Sequence, residues 1–147
     1  MEEELKRKPF RLSDHTPLSL AYLGDAVVDL FARERLASSG IPLKPAELNV
    51  RAKKYVTAVS QSGAVTRLLP LLDERETEVY KLGRNAKSAH SPKSAGAVEY
   101  RRATGLECLF GYLYLSGRAD RARVLFDAIY PCDSGENYDT EFRGLGI

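Results

Sequence analysis

Residues 18–38, "LSLAYLGDAVVDLFARERLAS", decide the fold. Apolar residues recur at three- and four-residue spacings and nearly surround the axis, which predicts a central buried helix rather than a surface one. Pro17 suits its first turn, Thr16 suits its N-cap, and the glycine and proline of "SSGIPLKP" close it. The pair Gly24-Asp25 stands in the middle of this helix. A glycine there costs roughly 1 kcal/mol against alanine, and an unpartnered carboxylate taken out of water costs several kcal/mol more.

Working outward, Leu48, Ala52, Tyr55, Val56 and Val59 predict a second helix over about 46–62, followed by a short third one over about 63–71. Asp73 with Glu76 three residues on is a capping-box pattern that opens a fourth helix, running out near Gly83. Residues 84–96, "RNAKSAHSPKSAG", are small, polar and basic and read as an internal loop. A fifth helix spans about 97–115, and a sixth, "ADRARVLFDAIY", stops at Pro131. Strand signals are almost absent, so the expected fold class is all-α, a compact bundle of about six helices. The expected organisation is a polar lead-in over 1–16, one domain over 17–131 and a loose tail over 132–147.

The 147 residues suffice for one domain with a real core. No apolar run reaches the ~18 residues of a membrane span, and "MEEELKRKPF" lacks a signal-peptide core. Cys108 and Cys132 have no metal-type spacing and read as free thiols of a reducing cytosol, giving a cytoplasmic expectation. His15 and His90 form no cluster that would suggest a histidine metal site. Net charge is only +2, but Lys81, Arg84, Lys87, Lys93, Arg101 and Arg102 face a single acid, Glu99, between residues 81 and 102. Such a local excess fits either an anionic partner such as nucleic acid or a solvated loop between helix ends.

Helix five carries one interior acid, Glu107, with Tyr100, Ala103, Thr104, Gly111 and Tyr114 on its stripe; small residues adjoin Asp25 in the same way. Two such helices crossing would bring Asp25 and Glu107 together. Like charges in an apolar setting then need a cation, and Mg²⁺ takes one or two carboxylates and completes its shell with water and phosphate. Taken singly, each acid is more often a surface carboxylate or a partner to arginine than a metal ligand.

"LAYLGDAVVDLFARERL" resembles the signature helix of the ribonuclease III catalytic domain, and "YRRATGLECLFGYLYLSG" resembles that family's second acidic segment. "YLGDAV", "YVTAVSQS", "GRNAKS" and "YRRATGLECLFGYLYL" resemble, in the same order and over about residues 17–130, the short bacterial Mini-ribonuclease III branch. The resemblance implies a helical bundle of the ribonuclease III catalytic-domain type, acting as a homodimeric endonuclease on double-stranded RNA. It assigns Asp25 and Glu107 as catalytic and metal-binding carboxylates for Mg²⁺, leaving 5′-phosphate and 3′-hydroxyl ends. Leu18, Ala21 and Thr104 stand where the longer enzymes have further acids, so the site is a reduced one. Asp29 reads better as a solvent-facing or arginine-paired acid than as a ligand.

The same resemblance places Tyr22 at the dimer interface, an ordinary core aromatic being the other reading, and makes precursor 23S ribosomal RNA the expected substrate. The longer enzymes carry a separate RNA-binding domain, and nothing here encodes one. The grip on RNA is therefore expected from Arg84, Lys87, Lys93, Arg101 and Arg102, with Lys53 and Lys54 as weaker candidates. A large-subunit ribosomal protein already on the substrate is a candidate partner. The alternative is a catalytically silent RNA-binding or ribosome-associated module of the same fold, against which the retained Asp25 and Glu107 argue.

Overall fold

The computed structural model describes residues 5–87 and 96–132. It contains α1 (Pro17–Ser38), α2 (Pro45–Val56), α3 (Ala58–Leu68), α4 (Glu74–Arg84), α5 (Ala97–Leu115) and α6 (Ala119–Ile129), with 3-10 turns at Leu12–Asp14 and Leu69–Leu71. No strand occurs among the described residues.

Thr16 caps α1 as its sequence position suggests: its hydroxyl accepts from the Ser19 N–H at 3.1 Å. The capping box of α4 is complete, with Glu76 N–H donating to Asp73 at 2.8 Å and Asp73 N–H donating to Glu76 at 3.0 Å.

α5 is the axis of the bundle. Ten of its residues are buried, and it packs on α1, α3, α4 and α6. Side chains from all five helices, among them Val28, Phe31, Val65, Leu68, Val79, Phe110 and Phe126, make one continuous core. α1 and α5 cross at glycines. A Cβ on Gly24 would lie 1.6 Å from the carbonyl oxygen of Glu107, and one on Gly111 would lie 1.9 Å from that of Leu20. Glycine on both helices is thus what lets the two backbones touch.

Three expectations need correction. The second helix ends at Val56, not near 62. Thr57 is extended (φ −73°, ψ 147°), and its hydroxyl caps α3 by accepting from the Ser60 N–H at 3.3 Å. The redirected helix lays Gln61, Ala64, Val65 and Leu68 inward and leaves Val59 76% exposed, although its spacing had placed it on the core stripe. The lead-in is also more than a frayed end. Phe10 stacks on His15 at 5.1 Å and meets the Tyr112 ring edge-on at 5.5 Å, and Leu12 packs on the core. Finally, α1 is not buried all round: Leu18, Tyr22, Asp25 and Leu30 are exposed on one side.

Candidate nuclease site

The α1–α5 crossing answers the question raised by Gly24-Asp25. The glycine rests directly on the Glu107 backbone, so the next residue, Asp25, flanks the same contact. Asp25 is exposed and Glu107 half-buried. Burial, and secondarily the negative charge of Asp25, push the Glu107 carboxyl up to about 8. Among the described residues no cation or hydrogen-bond donor offsets this upward push. The result is two acids flanking one helix crossing with no balancing positive group among the described residues. Among the described residues no group of three or more histidine, cysteine or acidic side chains is placed to hold a metal ion.

Asp29 does not join it. Its carboxylate accepts from Arg33 Nε at 2.9 Å, one helical turn on. Thr104 is buried on the stripe of Glu107, with its hydroxyl donating to the Tyr100 carbonyl at 2.9 Å. Tyr22 stands in solvent at 85% exposure, which removes the reading of it as a core aromatic and leaves a large apolar ring on the α1 face that also holds Leu18 and Asp25. Cys108 is fully buried, and burial raises its thiol to about 12, so it is packing.

The basic candidates separate. Lys87 and Arg101 are exposed, as are Lys53 and Lys54 on α2. Arg84 donates to the Asn85 side chain at 3.1 Å and lies over the Tyr80 ring, at the end of α4. Lys93, like His90, lies outside the described residues. Arg102 is turned inward, which departs from its expected role: its guanidinium donates to the Ser62 carbonyl at 3.0 Å and to the Thr66 hydroxyl at 2.7 Å. Its charge joins α5 to α3, because that is where the stripe of position 102 faces.

Sequence reasoning passed over Gln61. Its amide is buried on the face of α3 that packs into the bundle, and neither Oε1 nor Nε2 has a hydrogen-bond partner. The signal was present, since Gln61 shares a stripe with Ala64, Val65 and Leu68.

Comparison with known proteins agrees with this geometry. The Ribonuclease III domain model matches residues 18–118. The chain is 42% identical over 136 residues to the Mini-ribonuclease 3 of Brevibacillus brevis, covering 92% of this chain and 98% of that protein. It is 46% identical to the Mini-ribonuclease 3 of Symbiobacterium thermophilum, covering 76% and 85%. A crystallised protein from Fusobacterium nucleatum superposes with a TM-score of 0.70 at 29% identity, covering 80% of this chain and 93% of that one. A helical bundle crossed at Gly24 and Gly111, with its two acids at that crossing, thus accompanies similarity along most of the chain: this protein belongs to the Mini-ribonuclease 3 branch of the ribonuclease III family and is an endoribonuclease.

Proposed function

We propose that the protein hydrolyses double-stranded RNA at the Asp25–Glu107 pair with Mg²⁺, as a homodimer, in maturation of precursor 23S ribosomal RNA in the cytosol. The observation that supports the site is the pair itself: Asp25 and Glu107 flank the α1–α5 contact at Gly24, burial and Asp25 both act against the charge of Glu107, and no group among the described residues offsets them. Two carboxylates and open solvent beside Asp25 suit a hard cation whose other ligands are waters and phosphate oxygens. When bound, Mg²⁺ supplies charge neutralisation at the scissile phosphate and an acidified water.

The chain's own part is positional. Gly24 seats α1 on the Glu107 backbone and so fixes the spacing of the two carboxylates. Glu107, held on the buried central helix, is the rigid member of the pair, and Asp25 presents the other carboxylate to solvent. Lys87, Arg84 and Arg101 then serve as contacts to the RNA backbone, with Lys93 expected in the same role; A-form duplexes are held chiefly through phosphates and 2′-hydroxyls. Tyr22 and Leu18 supply an exposed apolar face for a second copy of the chain.

Cleavage of a duplex RNA, with Mg²⁺ or EDTA, tests the reading. Asp25→Asn and Glu107→Gln should each lower kcat by about a thousandfold or more, the equivalent of roughly 4 kcal/mol. Full activity in either variant would sink the assignment, and binding without cutting by the wild type would favour the silent module. Sedimentation at micromolar concentration should show a dimer that Tyr22→Ser weakens.

A further inference from the structure

An open groove between the last turns of α1 and the first turns of α2 is lined by neither Asp25 nor Glu107. Its volume is about 250 Å³, and its walls are Arg33, Leu36, Ala37, Pro45, Leu48 and Asn49. Leu36 is buried, Leu48 is half-buried and the other four are exposed. Arg33 already pairs with Asp29 at 2.9 Å, so the groove presents mainly carbon. Cations stand at its ends. Lys44 precedes Pro45 at the N-cap of α2, and Lys53 follows Asn49 by one helical turn on the same stripe. Both are exposed, and Glu47 is the one acid of α2.

The chain itself carries a segment of matching chemistry. Fifteen residues, "DSGENYDTEFRGLGI", follow Cys132 and lie outside the described residues. They hold four acids against one cation, Arg143, together with Tyr138, Phe142, Leu145 and Ile147. The described chain ends at the same end of α1 as the groove, because Cys132 shares a cleft with Arg35 and Ser38. The groove lies round the helix from that cleft, about one helix diameter or ~10–12 Å away. The ten residues from Cys132 to Phe142 span up to ~33 Å when extended, which is ample. A phenylalanine ring suits an apolar groove better than the Tyr138 phenol, whose hydroxyl needs a hydrogen-bond partner once buried.

We propose that residues 133–147 fold back on α1 and α2, seating Phe142 between Leu36, Ala37 and Leu48 and setting their acids beside Lys44 and Lys53. Burial of the ring supplies most of the attraction, and the exposed ion pairs, which contribute less, orient the segment. The docked segment takes the place of the loose tail expected from the sequence, and its docking needs neither RNA nor metal.

Hydrogen exchange on the full chain tests the docking with the natural ring in place. Phe142→Ala should speed exchange of the amides of residues 48–52, in the turn of α2 that lines the groove, by about tenfold. Equal rates overturn the proposal. The chain has no tryptophan, so Phe142→Trp adds a single reporter of where the side chain sits. Its emission should lie to the blue of a solvated indole, and Ala37→Glu, at an exposed position of the groove, should return it to the red. Emission unmoved by Ala37→Glu overturns the proposal, since the indole is then in solvent or against another surface. Protection of residues 48–52 that disappears on dilution also overturns it, because a second copy of the chain then fills the groove.

Discussion

Glu76 and Glu107 are glutamates on neighbouring helices of one bundle, and the surroundings of their charges are opposite. Glu76 is fully buried on α4 and fully partnered. It accepts from Arg121 Nε and Nη2 at 2.9 Å each and from the Asp73 N–H at 3.0 Å, and the arginine above all holds its carboxyl below the ordinary range. The same guanidinium donates to the Leu71 carbonyl at 2.8 Å, so one ion pair joins the start of α4, the turn before it and α6. Glu107 has burial and Asp25 against it and, among the described residues, no such partner, and it is pushed up to about 8. The first carboxylate stabilises the fold and leaves nothing for a ligand. The second keeps its proton up to about pH 8, and losing it weakens the fold unless something from outside balances the charge.

The sharpest way to break the contrast is at the glycine that creates the second site. Gly24→Ala puts a Cβ inside the Glu107 carbonyl group, where backbone and not a movable side chain must give way. The expected loss is about 3 kcal/mol or more in chemical denaturation, with activity lost alongside. An alanine tolerated at wild-type stability would mean that α1 and α5 do not cross as described.

Next in size is the partnered glutamate. Arg121→Ala leaves the Glu76 charge buried without its cation and should cost about 3 kcal/mol, read from the denaturation midpoint. The pH dependence has a definite sign. Because the folded state lowers the Glu76 pKa, its contribution is fully present above the ordinary carboxylate range and is lost as pH falls through the lowered value. Glu76→Gln should flatten that acid limb; an acid limb identical to wild type would remove the ion pair as its cause.

The smallest effect should run the other way. Glu107→Gln removes a half-buried charge and its repulsion from Asp25, so at pH 9 without divalent metal the variant should be more stable by about 1 kcal/mol, a rise of a few degrees in melting temperature. Destabilisation comparable to that of Arg121→Ala would show that both glutamates are structural and would erase the difference between them.

Much of this was legible in the chain. Thr16-Pro17 and the Asp73/Glu76 capping box announce helix starts through local hydrogen bonding, and the structure keeps both. The small residues beside Asp25 and Glu107 suggested a close crossing, and the contact of Gly24 with Glu107 bears it out. The Thr57 break was not legible, because a serine–glycine pair at 62–63 is a stronger local breaker than a threonine. The break is set by the need of α3 to bring Val65 and Leu68 onto the core. Arg102 and Arg101 are neighbours of the same type in one basic run, and only the packing of α5 on α3 sends one inward to Ser62 and Thr66 and the other into solvent.

The sequence by itself therefore determined the six helices and the Thr16 and Asp73 caps, because each rests on local order along the chain, and its resemblance to known sequences gave the family. The tertiary structure decided that Glu107 is pushed out of its ordinary range, that Tyr22 faces solvent and that Arg102 is a strut between α5 and α3. Those outcomes depend on burial and on the field of distant residues, and neither quantity exists until the helices have packed.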